Sequence, residues 1–203
     1  MGRGTRKSWI EIFRDFAGKG GVFPYQLAFT LLIPLRNIFL SPKTLIQRLE
    51  LKEDYNVLEI GPGPGYFSSK VARAIPRGVL VLADIQQKML DLAGKRLARK
   101  RIGNVEYHLC NGIDFPFDGS SFDVIFMVTV LGEIENKGQY LSECFRLLRP
   151  GGLLSISEQA GDADRMSTGE IKNIARISGF IFEKHYGTEN NYTMNFRREP
   201  VRQ

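Results

Sequence analysis

The sequence predicts an α/β fold in which a mostly parallel sheet lies between two layers of helices. The first indication is a short apolar strand, Val57–Ile60, that runs directly into a glycine-rich loop. A helical pattern follows this loop at once, which is the strand–loop–helix order of a nucleotide-binding βαβ unit. The second indication is the alternation of strand and helix patterns from Tyr55 onward. Such alternation is typical of parallel sheets, because each crossover between parallel strands needs a helix.

The chain of 203 residues has room for one such domain with an extension, and is too short for two large domains. Its balance of apolar and charged residues is that of an ordinary soluble globular protein. The formal net charge is +6, and basic residues gather near the N-terminus, in residues 95–101 and in residues 197–202. These groups have two interpretations: a solvated surface, or a docking surface for an anionic partner such as nucleic acid or lipid headgroups.

Cysteine and histidine usage predicts no metal site. Cys110 and Cys144 lie far apart, no C-x-x-C pair occurs, and the chain has two histidines. Zinc sites need closely spaced thiols and imidazoles, which this pattern does not offer. Two isolated thiols without a secretory signal indicate a reducing compartment, so we expect a cytoplasmic protein.

Residues 1–49 are predicted to form an N-terminal helical extension ahead of a domain that spans residues 50–203. Residues 22–40 are strongly apolar, but two prolines interrupt them, so they would make a poor membrane-spanning helix. Three interpretations remain open for the extension: a lid over a binding pocket, peripheral membrane contact through residues 8–40, or ordinary core packing.

Further strands and helices are predicted from Ser41-Pro42 onward, where serine caps a helix and proline fits its first turn. Residues 124–128 are apolar without alternation, which is typical of a strand buried on both faces. The last two strands are joined by a loop too short for a crossover helix, which predicts an antiparallel hairpin. The predicted strands are Val57–Ile60, Val79–Asp84, Val105–Leu109, Phe122–Thr129, Leu153–Ser157, Gly179–Tyr186 and Tyr192–Arg198, and the helices among them are 86–100, 140–148 and 171–177.

The loop after the first strand has glycine at every second position, in the pattern Glu59-x-Gly61-x-Gly63-x-Gly65. Glycine lets the backbone adopt positive φ and approach a ligand closely, although a tight turn without a ligand would use the same residues. A dinucleotide fingerprint needs its third glycine at the place that Tyr66 holds. The pattern instead resembles motif I of the class I S-adenosylmethionine-dependent methyltransferases.

This resemblance implies a cofactor site. In that family the carboxylate at the strand end engages the methionine end of S-adenosylmethionine, and the loop wraps its amino acid portion. The residues that match are Glu59, Gly61, Pro62, Gly63 and Tyr66. A second acid, Asp84, ends the second strand, where Rossmann-like sites grip ribose hydroxyls, and its alternative role is a helix cap. Ile85 is expected along the adenine face, while Met89 and Leu90 fit either the core or the cofactor wall.

Residues 110–123 resemble the G-D-A-x-x-L-P-F-x-D-x-S-F-D segment of the small-molecule branch of these methyltransferases, which includes the ubiquinone/menaquinone-biosynthesis type. Cys110 and Asn111 stand where glycine and aspartate are usual. The amide oxygen of Asn111 can accept a hydrogen bond from the exocyclic amine of adenine. Gly112 allows the purine to approach closely.

The segment after the fourth strand implies the methyl-acceptor side of the site. Relatives often have V-L-H-H or V-L-H-E where this chain has Gly132-Glu133. We expect Val128 to contact the cofactor and Glu133 to orient the substrate or accept its proton, with a solvated loop acid as the alternative. Residues 148–154 match the L-[KR]-P-G-G-x-[LF] turn of the same family, which is predicted to lead into the fifth strand.

The resemblance covers residues 50–198 and implies a Rossmann-like three-layer sandwich, with seven strands in the order 3-2-1-4-5-7-6. It implies methyl transfer that consumes S-adenosyl-L-methionine and leaves S-adenosyl-L-homocysteine. The [ND]-P-P-[YFW] segment of base methylation is absent after the fourth strand, so we expect a small hydrophobic or aromatic acceptor and no specific nucleic acid. Two alternatives stay open: a methyltransferase that docks RNA or protein through its basic patch, and a non-catalytic cofactor-binding regulatory module.

Overall fold

The computed structural model describes residues 40–160, 162 and 164–199. The predicted extension therefore lies outside the described residues up to position 39, and so do the lid and the membrane contact expected there. Within the part that the structure covers, no helix is long and apolar enough to cross a membrane. The elements in chain order are α1 (Pro42–Leu49), β1 (Val57–Ile60), α2 (Ser68–Ala74), β2 (Leu80–Asp84), α3 (Gln87–Arg99), β3 (Val105–Leu109), β4 (Phe122–Val128), a 3₁₀ turn (Leu131–Glu133), α4 (Lys137–Leu147), β5 (Leu148–Glu158), α5 (Thr168–Ile177), β6 (Phe180–Gly187) and β7 (Tyr192–Arg198).

The strands form one seven-stranded sheet in the order β3-β2-β1-β4-β5-β7-β6. The pairs from β3 to β5 are parallel, whereas β7 runs antiparallel to both β5 and β6. The predicted Rossmann-like sandwich and its strand order are therefore confirmed, including the C-terminal hairpin. Val57 of β1 aligns with Leu80 of β2 on one side and with Val124 of β4 on the other.

Two apolar clusters cover the two faces of the sheet. Leu58 and Ile125 face one cluster, to which α4 and α5 contribute. Val57 and Val124 face the other cluster, which α1, α2 and α3 complete. Neighbouring residues of β1 and β4 face opposite clusters, so apolar residues follow one another in both strands, interrupted by Glu59 in β1 and Asp123 in β4. Consecutive apolar residues are typical of parallel strands that helices cover on both faces.

The fifth strand differs from its predicted bounds. It begins at Leu148, before the turn expected at Arg149–Gly152, and that segment lies inside the strand as an irregularity. Phe122 of β4 aligns with Leu148, and Val124 already aligns with Leu153, so the residues between form a bulge. Arg149 Nη1 donates to Asp123 Oδ1 at 2.7 Å and ties the bulge to β4.

Side-chain caps explain two helix starts. Ser41 Oγ accepts a hydrogen bond from the Thr44 amide at 3.0 Å, as the prediction of a helix at Ser41-Pro42 required. Helix α4 begins at Lys137 rather than at the predicted Tyr140, because Asn136 Oδ1 accepts from the Gln139 amide and caps an earlier turn.

Candidate functional site

A cavity of about 520 Å³ opens at the carboxyl ends of β1, β2 and β4. Its volume lies within the range of small-molecule sites. The cavity sits where the strand order reverses direction around β1, which is the usual place for ligands in open α/β sheets. All of the residues predicted from the sequence border it: Glu59, Gly61, Pro62, Gly63, Tyr66, Asp84, Ile85, Asn111, Gly112, Val128 and Glu133.

The glycine loop forms the floor of this cavity. Gly61 and Gly63 have φ of 62° and 54°, a left-handed conformation that side chains resist. The Gly61 amide donates to the Ala83 carbonyl at 2.9 Å, so the loop is fastened to the end of β2. A Cβ added at Gly61 would lie 2.6 Å from Val130 Cγ2. Glycine is therefore favoured at position 61 for two reasons: the backbone there has positive φ, and Val130 leaves no room for a side chain.

Glu59 is a buried carboxyl group that lacks a full set of hydrogen bonds. Its exposed fraction is 2%. Burial raises its pKa to about 8; the nearby Ser68 hydroxyl lowers it in part, and Asp84 adds to the rise. Glu59 Oε2 and Ser68 Oγ both lack a hydrogen-bond partner in the described structure. The Ser68 hydroxyl therefore lies near the carboxyl group without forming a hydrogen bond to it. A buried carboxyl oxygen without a donor is costly, so this position fits a ligand that brings a hydrogen-bond donor.

Asp84 is the second acid at the cavity, with an exposed fraction of 7%. Burial raises its pKa, while the amides of Gln86, Gly63 and Ile85 oppose the rise. The Gln86 amide donates to Asp84 Oδ1 at 2.9 Å. These amides hold the carboxylate where β2 ends and beside the glycine loop. Ile85 projects next to it and is partly exposed.

Asn111 borders the cavity, but its amide oxygen has a role that the sequence did not indicate. Asn111 Oδ1 accepts from the amides of Ile113 at 3.1 Å and Asp114 at 2.9 Å. Asparagine commonly bonds its own backbone in this way in turns. The oxygen expected to meet adenine is thus engaged in shaping the loop that presents Gly112, whose φ is 91°.

The wall opposite the glycine loop comes from the segment after β4. Glu133 ends the 3₁₀ turn and borders the cavity, together with Val130, Ile134 and Tyr140. Thr129 has φ of 54°, so the chain turns sharply as it leaves the sheet. Sequence reasoning missed Tyr140 as part of the wall, because an aromatic residue on the buried face of a helix looks like ordinary core.

A further acid, Glu158, ends β5 and was not singled out from the sequence. Its exposed fraction is 1%, and neither carboxyl oxygen has a hydrogen-bond partner among the described residues. Burial raises its pKa to about 8; Asp162 and Glu133 add to the rise, and Arg165 and Lys137 oppose it. Glu158 does not border the cavity described above. Its position at a strand end, like that of Glu59, was the available signal. Among the described residues, no group of three or more acids, histidines or cysteines could hold a metal ion.

The fold and the cavity define a class. The sheet order with a C-terminal hairpin, and the glycine loop between two strand-end acids, are those of class I S-adenosylmethionine-dependent methyltransferases. Residues 57–152 match the sequence profile of the Methyltransferase domain family. This match includes the glycine loop and strands β1 to β4, and the family resemblance predicted from the sequence is confirmed. The cofactor of this class is S-adenosylmethionine.

Curated relatives share this part of the chain. A Pasteurella multocida protein named ubiquinone/menaquinone biosynthesis C-methyltransferase UbiE is 33% identical over 110 residues, which are 53% of this chain and 41% of that protein. A Tropheryma whipplei demethylmenaquinone methyltransferase is 40% identical over 103 residues, which are 50% of this chain and 41% of that protein. The matched stretch thus spans about two fifths of the length of these relatives.

Solved structures agree with the fold. A methyltransferase from Aquifex aeolicus, described as dependent on S-adenosylmethionine, superposes with a TM-score of 0.81 at 20% identity and covers 87% of this chain and 100% of its own. Phosphoethanolamine N-methyltransferase 2 of Haemonchus contortus, solved with phosphomonomethylethanolamine and S-adenosylhomocysteine, gives a TM-score of 0.69 at 16% identity and covers 96% of this chain and 61% of its own. At these identities the likeness establishes the fold alone.

Proposed function

We propose that this chain transfers a methyl group from S-adenosylmethionine to a small hydrophobic or aromatic acceptor. The observation that carries the proposal is the pair of buried acids, Glu59 and Asp84, on either side of the glycine loop and facing one cavity. S-adenosylmethionine carries an ammonium group on its methionine part and hydroxyl groups on its ribose. The ammonium would supply the donor that Glu59 Oε2 lacks among the described residues, and the ribose hydroxyls would donate to Asp84.

The cofactor roles follow from this arrangement. Glu59, whose Oε2 has no donor, would receive the ammonium of the methionine end, over the backbone of Gly61 to Gly63. Asp84 would accept from the ribose hydroxyls. Ile85, partly exposed at the cavity rim, would lie against the adenine ring. Pro62, Tyr66, Gly112 and Val128 would complete the walls, and Asn111 would act through the shape of its loop.

The chain's own contribution to catalysis is alignment. The bound cofactor supplies an electrophilic methyl group on a sulfonium, and the transfer is an in-line displacement. The protein has to orient the acceptor and exclude water, which the apolar side chains of Val130, Ile134 and Tyr140 support. Glu133 borders the same wall and is our candidate for orienting the acceptor or taking its proton, a step needed only if the reacting atom carries one.

A quinone-type ring in its reduced quinol form is the acceptor that we favour, because the electron-rich carbon of a quinol can attack an electrophilic methyl group. The relatives in Pasteurella and Tropheryma are named for C-methylation in ubiquinone and menaquinone biosynthesis and for demethylmenaquinone methylation. An apolar wall that contains Tyr140 suits an aromatic ring, which can pack against another ring. Methylation of a ring carbon must also release the proton that the carbon carried, and Glu133 would receive it.

Calorimetry with S-adenosylmethionine and S-adenosylhomocysteine tests the cofactor site. Asp84→Asn should weaken both ligands by at least about tenfold, because it removes a charge-assisted acceptor of two hydroxyls. Asp91→Asn is the matched control, since Asp91 is an exposed acid on α3 that does not border the cavity. Equal affinities in wild type and Asp84→Asn would sink the site assignment.

The acceptor is tested separately with methyl-labelled cofactor. The purified chain is incubated with a demethylated quinone that has been reduced to its quinol, with total RNA and with a protein extract. We expect label in the quinone and its loss in Tyr140→Ala. Label that appears only in RNA or protein would replace the small-molecule proposal with the docking alternative. Tight cofactor binding with no labelled product in any arm would favour a regulatory module.

A further inference from the structure

Four cationic side chains converge where α2 and α3 lie side by side. Lys70 and Arg73 come from α2, and Arg96 and Lys100 come from the last turn and the end of α3. Lys100 Nζ donates to Ser69 Oγ at 3.0 Å, so it reaches across to α2. Arg73 Nη2 donates to the Lys100 carbonyl at 3.4 Å and reaches back to α3. We call these four residues the α2–α3 cation cluster.

No acid of the described residues forms an ion pair with the α2–α3 cation cluster. Among residues 40–199 as described, every ion pair within 4 Å involves other residues. The Arg96 Nε atom is buried and has no hydrogen-bond partner in the part of the chain that the structure describes. The pKa of Lys100 is lowered, first by burial and then by the charges of Arg96, Arg73 and Lys70. The four cations are therefore close enough to repel one another.

Helix ends offset only part of this charge. Each helix C-terminus carries the equivalent of roughly half a negative charge, so the ends of α2 and α3 together supply about one. Against four cations this leaves an excess of about three positive charges. Capping of the helix dipole explains one or two basic residues at such a place but not four that face each other across two helices.

The cluster is separate from the methyl-transfer cavity. In the part of the chain that the structure describes, none of its four side chains borders that cavity. Helix α3 starts beside the cavity and runs for 13 residues away from it. At 1.5 Å per residue, its far end lies about 20 Å from its start. The cluster thus has no part in holding the cofactor as proposed above.

We propose that the α2–α3 cation cluster is a binding site for a phosphate-bearing anion, and that its charge suits a diphosphate better than a single phosphate. Guanidinium groups bind phosphate oxygens in pairs, and an ammonium adds a point charge. Arg96 and Arg73 supply the guanidinium groups, and Lys70 and Lys100 supply the ammonium groups. The Ser69 hydroxyl, which accepts from Lys100, keeps its own proton to donate to an anion oxygen.

Isothermal titration with inorganic pyrophosphate and inorganic phosphate at low ionic strength tests the proposal. We expect pyrophosphate to bind more tightly than phosphate, and Arg96→Gln/Lys100→Gln to lose at least about tenfold in pyrophosphate affinity. The charge-matched control is Lys172→Gln/Arg176→Gln on α5, which removes two cations from another helix and should change affinity by less than about twofold. A far-UV circular dichroism spectrum shared by all variants establishes that they fold.

Vesicles identify the source of the phosphate. Co-sedimentation with phosphatidylglycerol vesicles that is lost in Arg96→Gln/Lys100→Gln would assign the site to a lipid headgroup. Pyrophosphate binding without vesicle binding would assign it to a free ligand, and either result supports the site. Equal pyrophosphate affinities in wild type and the double variant, or equal losses in the control, would overturn it. Because S-adenosylmethionine is not a probe here, failure would leave the proposed methyl transfer untouched.

Discussion

The affinity for S-adenosylmethionine should rise with pH, because Glu59 must lose a proton to hold an ammonium group. Burial raises its pKa to about 8, so the group is mostly neutral at pH 7 before a ligand arrives. An ammonium stabilises the ionised form and lowers that pKa. Binding below pH 8 therefore releases a proton, and each lower pH unit makes that release more costly.

The size of the effect follows from linkage. If the bound-state pKa falls well below 6, one proton leaves on binding at pH 6, and the affinity changes by about tenfold per pH unit between pH 6 and pH 7. The dependence should flatten above about pH 8, where Glu59 is already ionised in the free protein. Glu59→Gln cannot ionise, so it should bind more weakly at pH 8 and show little slope.

Calorimetry at several pH values, in two buffers that differ in ionisation enthalpy, measures both the affinity and the number of protons released. The matched control is Glu158→Gln, because Glu158 is equally buried and its pKa is also about 8, but it does not border the cavity. We expect that control to keep the wild-type slope. An equal slope in wild type and Glu59→Gln would refute the reasoning, as would a slope lost in Glu158→Gln.

Three further predictions concern stability and are measured by urea unfolding. Gly61→Ala should cost about 2 kcal/mol, from a left-handed alanine and from the 2.6 Å approach to Val130 Cγ2, and a second change, Val130→Ala, should recover part of it. Between pH 4.5 and about 8 the folded protein keeps a proton on Glu158 that the unfolded chain has lost. The contribution of Glu158 to the free energy of unfolding therefore falls with rising pH, by about 1.4 kcal/mol per pH unit. Glu158→Gln should make this pH dependence flatter. An unchanged pH dependence in the variant would contradict the burial argument. Asn104→Ala should cost about 1–3 kcal/mol, because Asn104 Nδ2 donates to the carbonyls of Ala72, Ile75 and Gly78, whereas a loss below about 0.5 kcal/mol would show that water replaces it.

The strand ends were the part of the molecule most accessible to sequence reasoning. Asp84 ends β2 and Glu59 is the next-to-last residue of β1, and parallel strands bring their carboxyl ends to one edge of the sheet. Local pattern therefore located the cavity, and the sheet order came from the family resemblance. The cofactor roles given to these residues stay predictions.

Features that depend on contacts distant in sequence escaped that reasoning. An acid at the end of a strand can be solvated or buried, and only the packed structure reveals that Glu158 is enclosed. Strand β5 begins at Leu148 because this residue aligns with Phe122 of β4. The proline–glycine sequence that follows predicts a turn and gives no indication of this pairing. The hydrogen bonds from the Ile113 and Asp114 amides to Asn111 Oδ1 depend on the folded loop and could not be predicted from the sequence, and the contact of Asn111 with adenine stays a prediction.

Val130 packs so closely against Gly61 that a Cβ at position 61 would lie 2.6 Å from Val130 Cγ2, and both residues border the cavity. Enlarging Val130 in order to change the acceptor preference would therefore press on the glycine loop, which is proposed to hold the cofactor. The proposed acceptor and cofactor sites would thus share this contact, and replacing Val130 by a smaller residue is the change that would leave the glycine loop undisturbed.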